Sequence, residues 1–379
     1  VEILSTGGTA KHLREADISV VNVSDFTGFP EIMDGRIKTI NPKIEGGILG
    51  LRDKHDTEAK DHNIKWIDLV VCNLYPFSET IAKKDVSFDD ALENIDIGGP
   101  TMIRSAAKNI DWCTVVVDKN DYQTIIEALT NSNSISYNIR KKLSARAFGH
   151  CAKYDSIIYN YLNENPLSGT TALSFEKFYD LRYGENPHQK AAAYKAPHIN
   201  DQSILEAEIL QGKKLSYNNF MDADAALACL REFSDPTCVV VKHSNPCGVS
   251  TGTDINTVFE RAFNADSKSA FGGIIALNRT CTKEIAEFVS KIFMEIIIAP
   301  DYNDEALSLL GTKKNLRVLK VGEILNRTEN LEYRFINGGV LVQDSDISKI
   351  EIDDLKCVTE KQPSRKQMDD ILFAWKVLK

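Results

Sequence analysis

The chain has 379 residues, 43% hydrophobic and 26% charged, which is long enough to bury two cores and makes two domains the natural expectation. Its 45 basic residues against 54 acidic ones leave a net charge of −9 without a basic patch, which argues against a nucleic-acid partner. No apolar stretch approaches a membrane span, no secretory signal precedes the first strand, and eight scattered cysteines lack any C-x-x-C pair. Reduced thiols in a cytoplasmic protein, with neither metal nor disulfide framework, follow from that spacing. An anionic ligand would have to be held locally, by helix N-termini and a few placed cations.

In chain order, "VEIL" and "SVVNV" read as short strands, with "IDLVVCNLYPF" and "WCTVVVD" (112–118) as two more. Helical patterns lie between them, one opening at Ser87, where Asp90 three residues on resembles a capping box. A long helix beginning at Ser136 closes this part. The stretch "NENPLSGTT" (163–171) is the linker candidate and divides the chain into 1–170 and 171–379. The second part restarts at "FYDLRYGENPHQKAAAY" and brings a helix after "SYNNF", the apolar run "TCVVVKHSNPCG" (237–248), then "FGGIIAL", "EIIIAP", "LRVLKV" and "GGVLVQD". Strand and helix signals alternate throughout, so the fold class is α/β. The chain opens on Val1 rather than Met and stops in the helical pattern "ILFAWKVLK" without a cap, which sets the expectation of a fragment.

Several stretches have the composition of sites. In "LSTGGTAKHL", Gly7 and Gly8 leave backbone N–H groups open to an anion, and Thr6 and Thr9 add hydroxyls; a tight strand-to-helix turn is the plainer reading. In "MDGRIKT", Arg36 and Lys38 share one side if the segment is extended, suiting a phosphate and a carbonyl, or forming only a solvated basic edge. "IDIGGPTMIRSAAKN" places Asp96 before Gly98-Gly99 and a helix whose wheel carries Thr101, Arg104, Ser105 and Lys108 as one polar stripe, so that Asp96 and Lys108 are expected across one pocket. "CNLYPF" ends a buried strand at Cys72 and Asn73, with Tyr75 either at a ligand or packed at a corner. "LRYGENPHQ" is a rigid loop, and Asn218 and Asn219 precede a helix expected to be capped by Asp222. Lys242 and His243 end the valine run. An imidazole titrates near physiological pH and an ammonium steadies charge developing on oxygen, but strand neighbours point to opposite faces, so both act together only if the strand ends there. The alternative is a polar strand terminus. "PCGVS" lacks the second Cys of the zinc deaminase signature P-C-x-x-C, so no metal is expected.

Taken together and in order, "STGGTAK", "TGFPEIMDGRIKT", "NLYPF", "IDIGGPTMIRSAAKN", "LRYGENPHQ", "KLSYNNF", "VKHSNPCG" and "SAFGGIIALNR" resemble one family over essentially the whole chain: the bifunctional AICAR formyltransferase/IMP cyclohydrolases of purine biosynthesis. The resemblance implies formyl transfer from 10-formyltetrahydrofolate to AICAR, then dehydrative closure of formyl-AICAR to IMP. It implies a methylglyoxal-synthase-like N-terminal cyclohydrolase domain and a zinc-free, cytidine-deaminase-like formyltransferase domain, the latter incomplete here. By the same resemblance, Lys38, Tyr75, Asp96 and Lys108 are cyclohydrolase residues. Thr6, Gly7, Gly8, Thr9, Arg36 and Thr39 fall at phosphate and ribose contacts, and Cys72, Asn73, Ile97, Gly98 and Gly99 at base contacts. Lys242 and His243 fall at the formyltransferase centre, with Arg182, Tyr183, Gly184, Asn219, Phe271 and Gly272 around AICAR and Glu295 at a folate position. A homodimer is implied, with no nucleic acid and no membrane. Family members also carry an extra "SVSDK"-like segment at the start and a second deaminase-like unit beyond Lys379. A non-catalytic phosphate-binding regulator and an enzyme keeping one activity are the rival readings.

Overall fold

The structure is a computed structural model that describes residues 1–167, 169–197, 203–324 and 327–379; Ser168 of the linker candidate lies outside them. The chain divides into two compact units, Val1–Ser174 and Phe175–Lys379.

In the first unit, strands Leu4–Ser5 and Val21–Asn22 pair in parallel, as do Leu69–Val71 and Thr114–Val116. Val70, Val115 and Val117 point into a core shared with Ile44, Ile48, Ile103, Ala106 and Ala147. Helix Gly98–Lys108 is packed on both sides because its inner residues are small. Ala106 and Ala107 let it approach the long helix Tyr137–Leu162, where the Ser144 hydroxyl donates to Ala107 O at 2.6 Å. On another side, Asn109 donates to Ile48 O at 2.7 Å and so fixes this helix against Pro42–Leu49. The long helix starts where its sequence says, with Ser136 accepting from Ile139 N. Ser87 likewise caps Phe88–Glu93, accepting from Asp90 N, although its own hydroxyl turns to the Asp90 carboxylate.

The second unit is built on a six-stranded sheet. Its order is Glu208–Gln211, Arg317–Lys320, Ile296–Ala299, Ile274–Leu277, Thr237–Lys242, Asn245–Thr251. The three strands beginning at Ile274, Ile296 and Arg317 are parallel, and their outer neighbours run antiparallel to them. Alternation sorts each strand between two cores. Cys238, Val240, Ile275, Leu277 and Ile297 face helices Ile255–Ala265, Lys283–Lys291 and Asp304–Leu310. Val239, Val241, Ile274, Ala276 and Ile296 face helix Tyr217–Leu230. Both faces are covered, which is why these strands read as unbroken apolar runs.

Candidate active sites

In the first unit, three of the singled-out stretches converge on the start of helix Gly98–Lys108. The Asp96 carboxylate accepts from Gly99 N–H at 2.8 Å, and Asp96 N–H donates to the Tyr154 hydroxyl at 2.8 Å. A carboxylate at a helix N-terminus is favoured by the exposed N–H groups and the helix dipole. Gly99 lets the chain pass close here: a Cβ would stand 2.6 Å from Asp96 Oδ2 and 2.7 Å from Leu74 Cδ2, so those side chains would have to shift. Leu74 belongs to "CNLYPF", so Cys72, Asn73 and Tyr75 are carried to the same place, with Tyr75 and Ile97 both exposed. A Cβ on Gly98 would lie 2.5 Å from Thr39 Oγ1, so the "GRIKT" segment closes the third side. Burial, and secondarily the Asp96 carboxylate, push the Cys72 thiol up to about 12. Cys72 is therefore a neutral donor or a packing group at this wall, not a thiolate.

Two expectations are corrected. The segment around Arg36 is not extended: Met33, Asp34 and Gly35 have φ of 55°, 53° and 86°, and an Ile32–Ile37 bridge closes the turn. Arg36 therefore pairs with Glu93, while Lys38 lies 3.8 Å from Glu31, so the two cations do not act side by side. Ser105 leaves the polar stripe, being buried with its hydroxyl donating to Glu45 Oε2 at 2.6 Å. Lys108, exposed, ends the 11-residue helix that Asp96 precedes, roughly 15 Å of rise further on. Thr6, Gly7, Gly8 and Thr9 form the N-terminus of helix Gly7–Glu15; Gly7 has φ +50° and open space around both glycines.

In the second unit, one edge of the sheet gathers the other set. Strand Thr237–Lys242 ends there, and Ile274–Leu277, Ile296–Ala299 and Arg317–Lys320 begin there. His243 and Ser244 have φ of 57° and 59° and link Lys242 to Asn245 directly, which is a two-residue type I′ hairpin turn. Such turns favour Asn-Gly; a left-handed conformation costs other residues roughly 1–2 kcal/mol each. The turn resolves the alternation problem, because the strand stops at Lys242 and His243 is released, exposed, from its pleat. Lys242 Nζ donates to Phe271 O at 2.8 Å. Phe271 is itself 60% exposed and its ring lies 5.5 Å from that of Phe293. The following Gly272 has φ +71°, and a Cβ on Gly273 would stand 2.6 Å from Val241 O, so only glycine lets this segment press against the Lys242 strand.

Helix Tyr217–Leu230 starts at the same edge. Ser216 caps it in a reciprocal box with Asn219, which corrects the expectation that Asp222 is the cap. Asn219 is buried, with its Oδ1 taken by Ser216 N–H. Asn218 reaches Glu185 O at 3.5 Å, which ties the "RYGENPHQ" loop to this helix. That loop is folded on itself, Gly184 N–H donating to Gln189 O at 2.8 Å, and the Arg182 guanidinium lies 5.7 Å from the centre of the half-buried Tyr183 ring. Glu295 is at this edge too, with its carboxylate 2.7 Å from Arg317.

Comparison with known proteins divides the chain earlier than the two compact units do. A family profile described as "MGS-like domain" matches residues 1–101, and one described as "AICARFT/IMPCHase bienzyme" matches 106–379. The chain belongs to the AICARFT/IMPCHase bienzyme family. Among curated relatives, the bifunctional purine biosynthesis protein PurH of Thermoanaerobacter sp. (strain X514) is 51% identical over 383 residues, covering 100% of this chain and 75% of the relative. PurH of Bacillus cereus (strain AH187) is 50% identical over 384 residues with the same coverage. The crystal structure of ForH matches 41% of this chain and 82% of its own at 29% identity, with a TM-score of 0.36. The enzyme thus carries the family's two activities, folate-dependent formyl transfer to AICAR and dehydrative closure of formyl-AICAR to IMP. Among the described residues, no helix is long and apolar enough to cross a membrane.

Residues that motif reading passed over also shape the two candidate sites. Tyr154 fixes the Asp96 backbone from 58 residues away, and Arg317 holds Glu295 from 22 away. Neither separation leaves a local signal in the sequence.

Proposed function

We propose that the two reactions divide between the two units, with cyclohydrolase chemistry at Asp96 and formyl transfer at Lys242–His243. The observation that carries this reading is the turn at His243 and Ser244, which frees both proton-handling side chains at the edge where Phe271, Gly272 and Asn219 also lie. AICAR's 5-amino nitrogen attacks the formyl carbon of 10-formyltetrahydrofolate, and the new N–C bond replaces the bond from that carbon to the folate N10. His243 takes the amine proton and the departing N10 receives one. The Lys242 ammonium has three donors, of which one goes to Phe271 O, leaving others for the formyl oxygen as it becomes negative. Arg182 is assigned to the AICAR phosphate, with Tyr183, Gly184 and Asn219 around the rest of that substrate; Glu295 sits at the folate side, neutralised by Arg317.

In the cyclohydrolase, the carboxamide nitrogen of formyl-AICAR attacks the formyl carbon, and the resulting hydroxyl leaves with a proton as water. Asp96 Oδ1 is engaged by Gly99 N–H, which leaves Oδ2 to accept a carboxamide hydrogen. Tyr75 and Lys38 are assigned to the formyl oxygen. Cys72, Asn73 and the Ile97-Gly98-Gly99 backbone are assigned to the base, and Thr39, Arg36 and the Thr6–Thr9 helix start to ribose and phosphate. Lys108 is assigned, with Tyr75 and Lys38, to the charge that develops on the formyl oxygen. Eight free cysteines support a reducing, cytoplasmic setting, and a homodimer is part of the same reading.

The test is His243→Ala. Formyl transfer should fall by ~10²–10⁴-fold, as for loss of a positioned acid–base group, while added formyl-AICAR still closes to IMP. Formyl transfer that survives the change makes the pair a polar strand end.

A further inference from the structure

A type I′ turn needs left-handed backbone at both central positions, and here they are held by His243 and Ser244 rather than by Asn and Gly. Something outside the hairpin must select that conformation. Asp222, six residues into helix Tyr217–Leu230, reaches across to the turn: its Oδ1 accepts from Ser244 N–H at 2.7 Å and lies 3.4 Å from Ser244 Oγ. Among the described residues the other anchor on the turn is local, Asn245 Nδ2 donating to His243 O at 2.8 Å. The N–H of the second turn residue has no partner in the hairpin ladder, so the carboxylate satisfies a donor that would otherwise face solvent.

We infer that Asp222 is a positioning residue for formyl transfer, clamping the His243–Ser244 turn so that the imidazole and the Lys242 ammonium face one substrate. The inference rests on the assignment of Lys242 and His243 above. Asp222 is fixed to the helix that also carries Asn218 and Asn219, so the clamp sets the Lys–His turn in register with the "RYGENPHQ" loop.

Steady-state kinetics on the enzyme test it. Asp222→Ala should lower kcat for formyl transfer by ~10–10²-fold with the AICAR KM changed by less than ~3-fold, the pattern of misplaced catalytic groups. Asp222→Asn keeps an acceptor oxygen and should retain kcat within ~5-fold of the parent. Ser244→Gly, placed on Asp222→Ala, should recover at least ~3-fold, because glycine adopts positive φ without an external clamp. A raised AICAR KM with kcat unchanged would make Asp222 a substrate contact and overturn the inference. So would equal losses in Asp222→Ala and Asp222→Asn without rescue by glycine. If Asp222→Ala does not fold, the Asn variant alone decides: a loss above ~10-fold contradicts the clamp. His243→Ala, run in parallel, separates the two claims. Its full activity would sink the assignment of the pair, whereas its inactivity beside a normal Asp222→Ala would sink only the clamp.

Discussion

Gly99→Ala puts one methyl group where the Asp96 carboxylate and the Leu74 side chain already are. The added Cβ would sit 2.6 Å from Asp96 Oδ2 and 2.7 Å from Leu74 Cδ2, roughly an ångström inside ordinary contact. Leu74 is partly buried against the core, so the carboxylate is the softer neighbour and moves. Its hydrogen bond to Gly99 N–H, 2.8 Å long, is strained by the same shift. Overpacking costs about 1–3 kcal/mol, but alanine in a helix gains about 1 kcal/mol over glycine, so the net change in stability is small. Catalysis is less forgiving, since a displacement of about an ångström costs on the order of 10²-fold. The expected result is a melting temperature within a few degrees of the parent, with IMP formation from formyl-AICAR slowed by ~10–10²-fold. The ultraviolet rise on IMP formation reads the cyclohydrolase, and tetrahydrofolate release reads formyl transfer, which should be unchanged. Undiminished IMP formation in a folded Gly99→Ala protein would refute the placement of the reaction at Asp96.

Lys108→Ala should slow IMP formation from formyl-AICAR by at least ~10²-fold while formyl transfer continues; an unchanged rate would make Lys108 a surface lysine. Alkylation at pH 8 should label Cys357 early and spare Cys72. Hydrogen bonds involving Thr359 lower the Cys357 thiol, whereas burial holds Cys72 up at about 12, and peptide mapping reads the order.

Much of the architecture was legible because it was local. Ser136 and Ser87 announce their helices, and the run Thr237–Val241 announces a strand buried on both faces. The misreadings share a different origin. Ser105 appeared to be surface because its partner, Glu45, lies 60 residues upstream. Asp34-Gly35 is a turn signal, yet the alternation of Arg36 and Lys38 invited an extended reading. The turn at His243–Ser244 was half visible: turn residues follow the valines, but His-Ser gives no cue for type I′ geometry, and its holder, Asp222, comes from an earlier helix. The edge that gathers Lys242, Phe271 and Glu295 is also the amino end of three parallel strands, opposite to the end where open parallel sheets usually bind ligands.

The division of labour is tested most directly by Asp96→Asn, supplied with AICAR and 10-formyltetrahydrofolate while both products are followed in one cuvette. The amide keeps the acceptor for Gly99 N–H and removes the charge, so the helix start should survive. Tetrahydrofolate should appear at the parental rate while the IMP signal falls by at least ~10²-fold and formyl-AICAR accumulates. Parallel loss of both signals, or an IMP signal that keeps pace with tetrahydrofolate, would contradict the account.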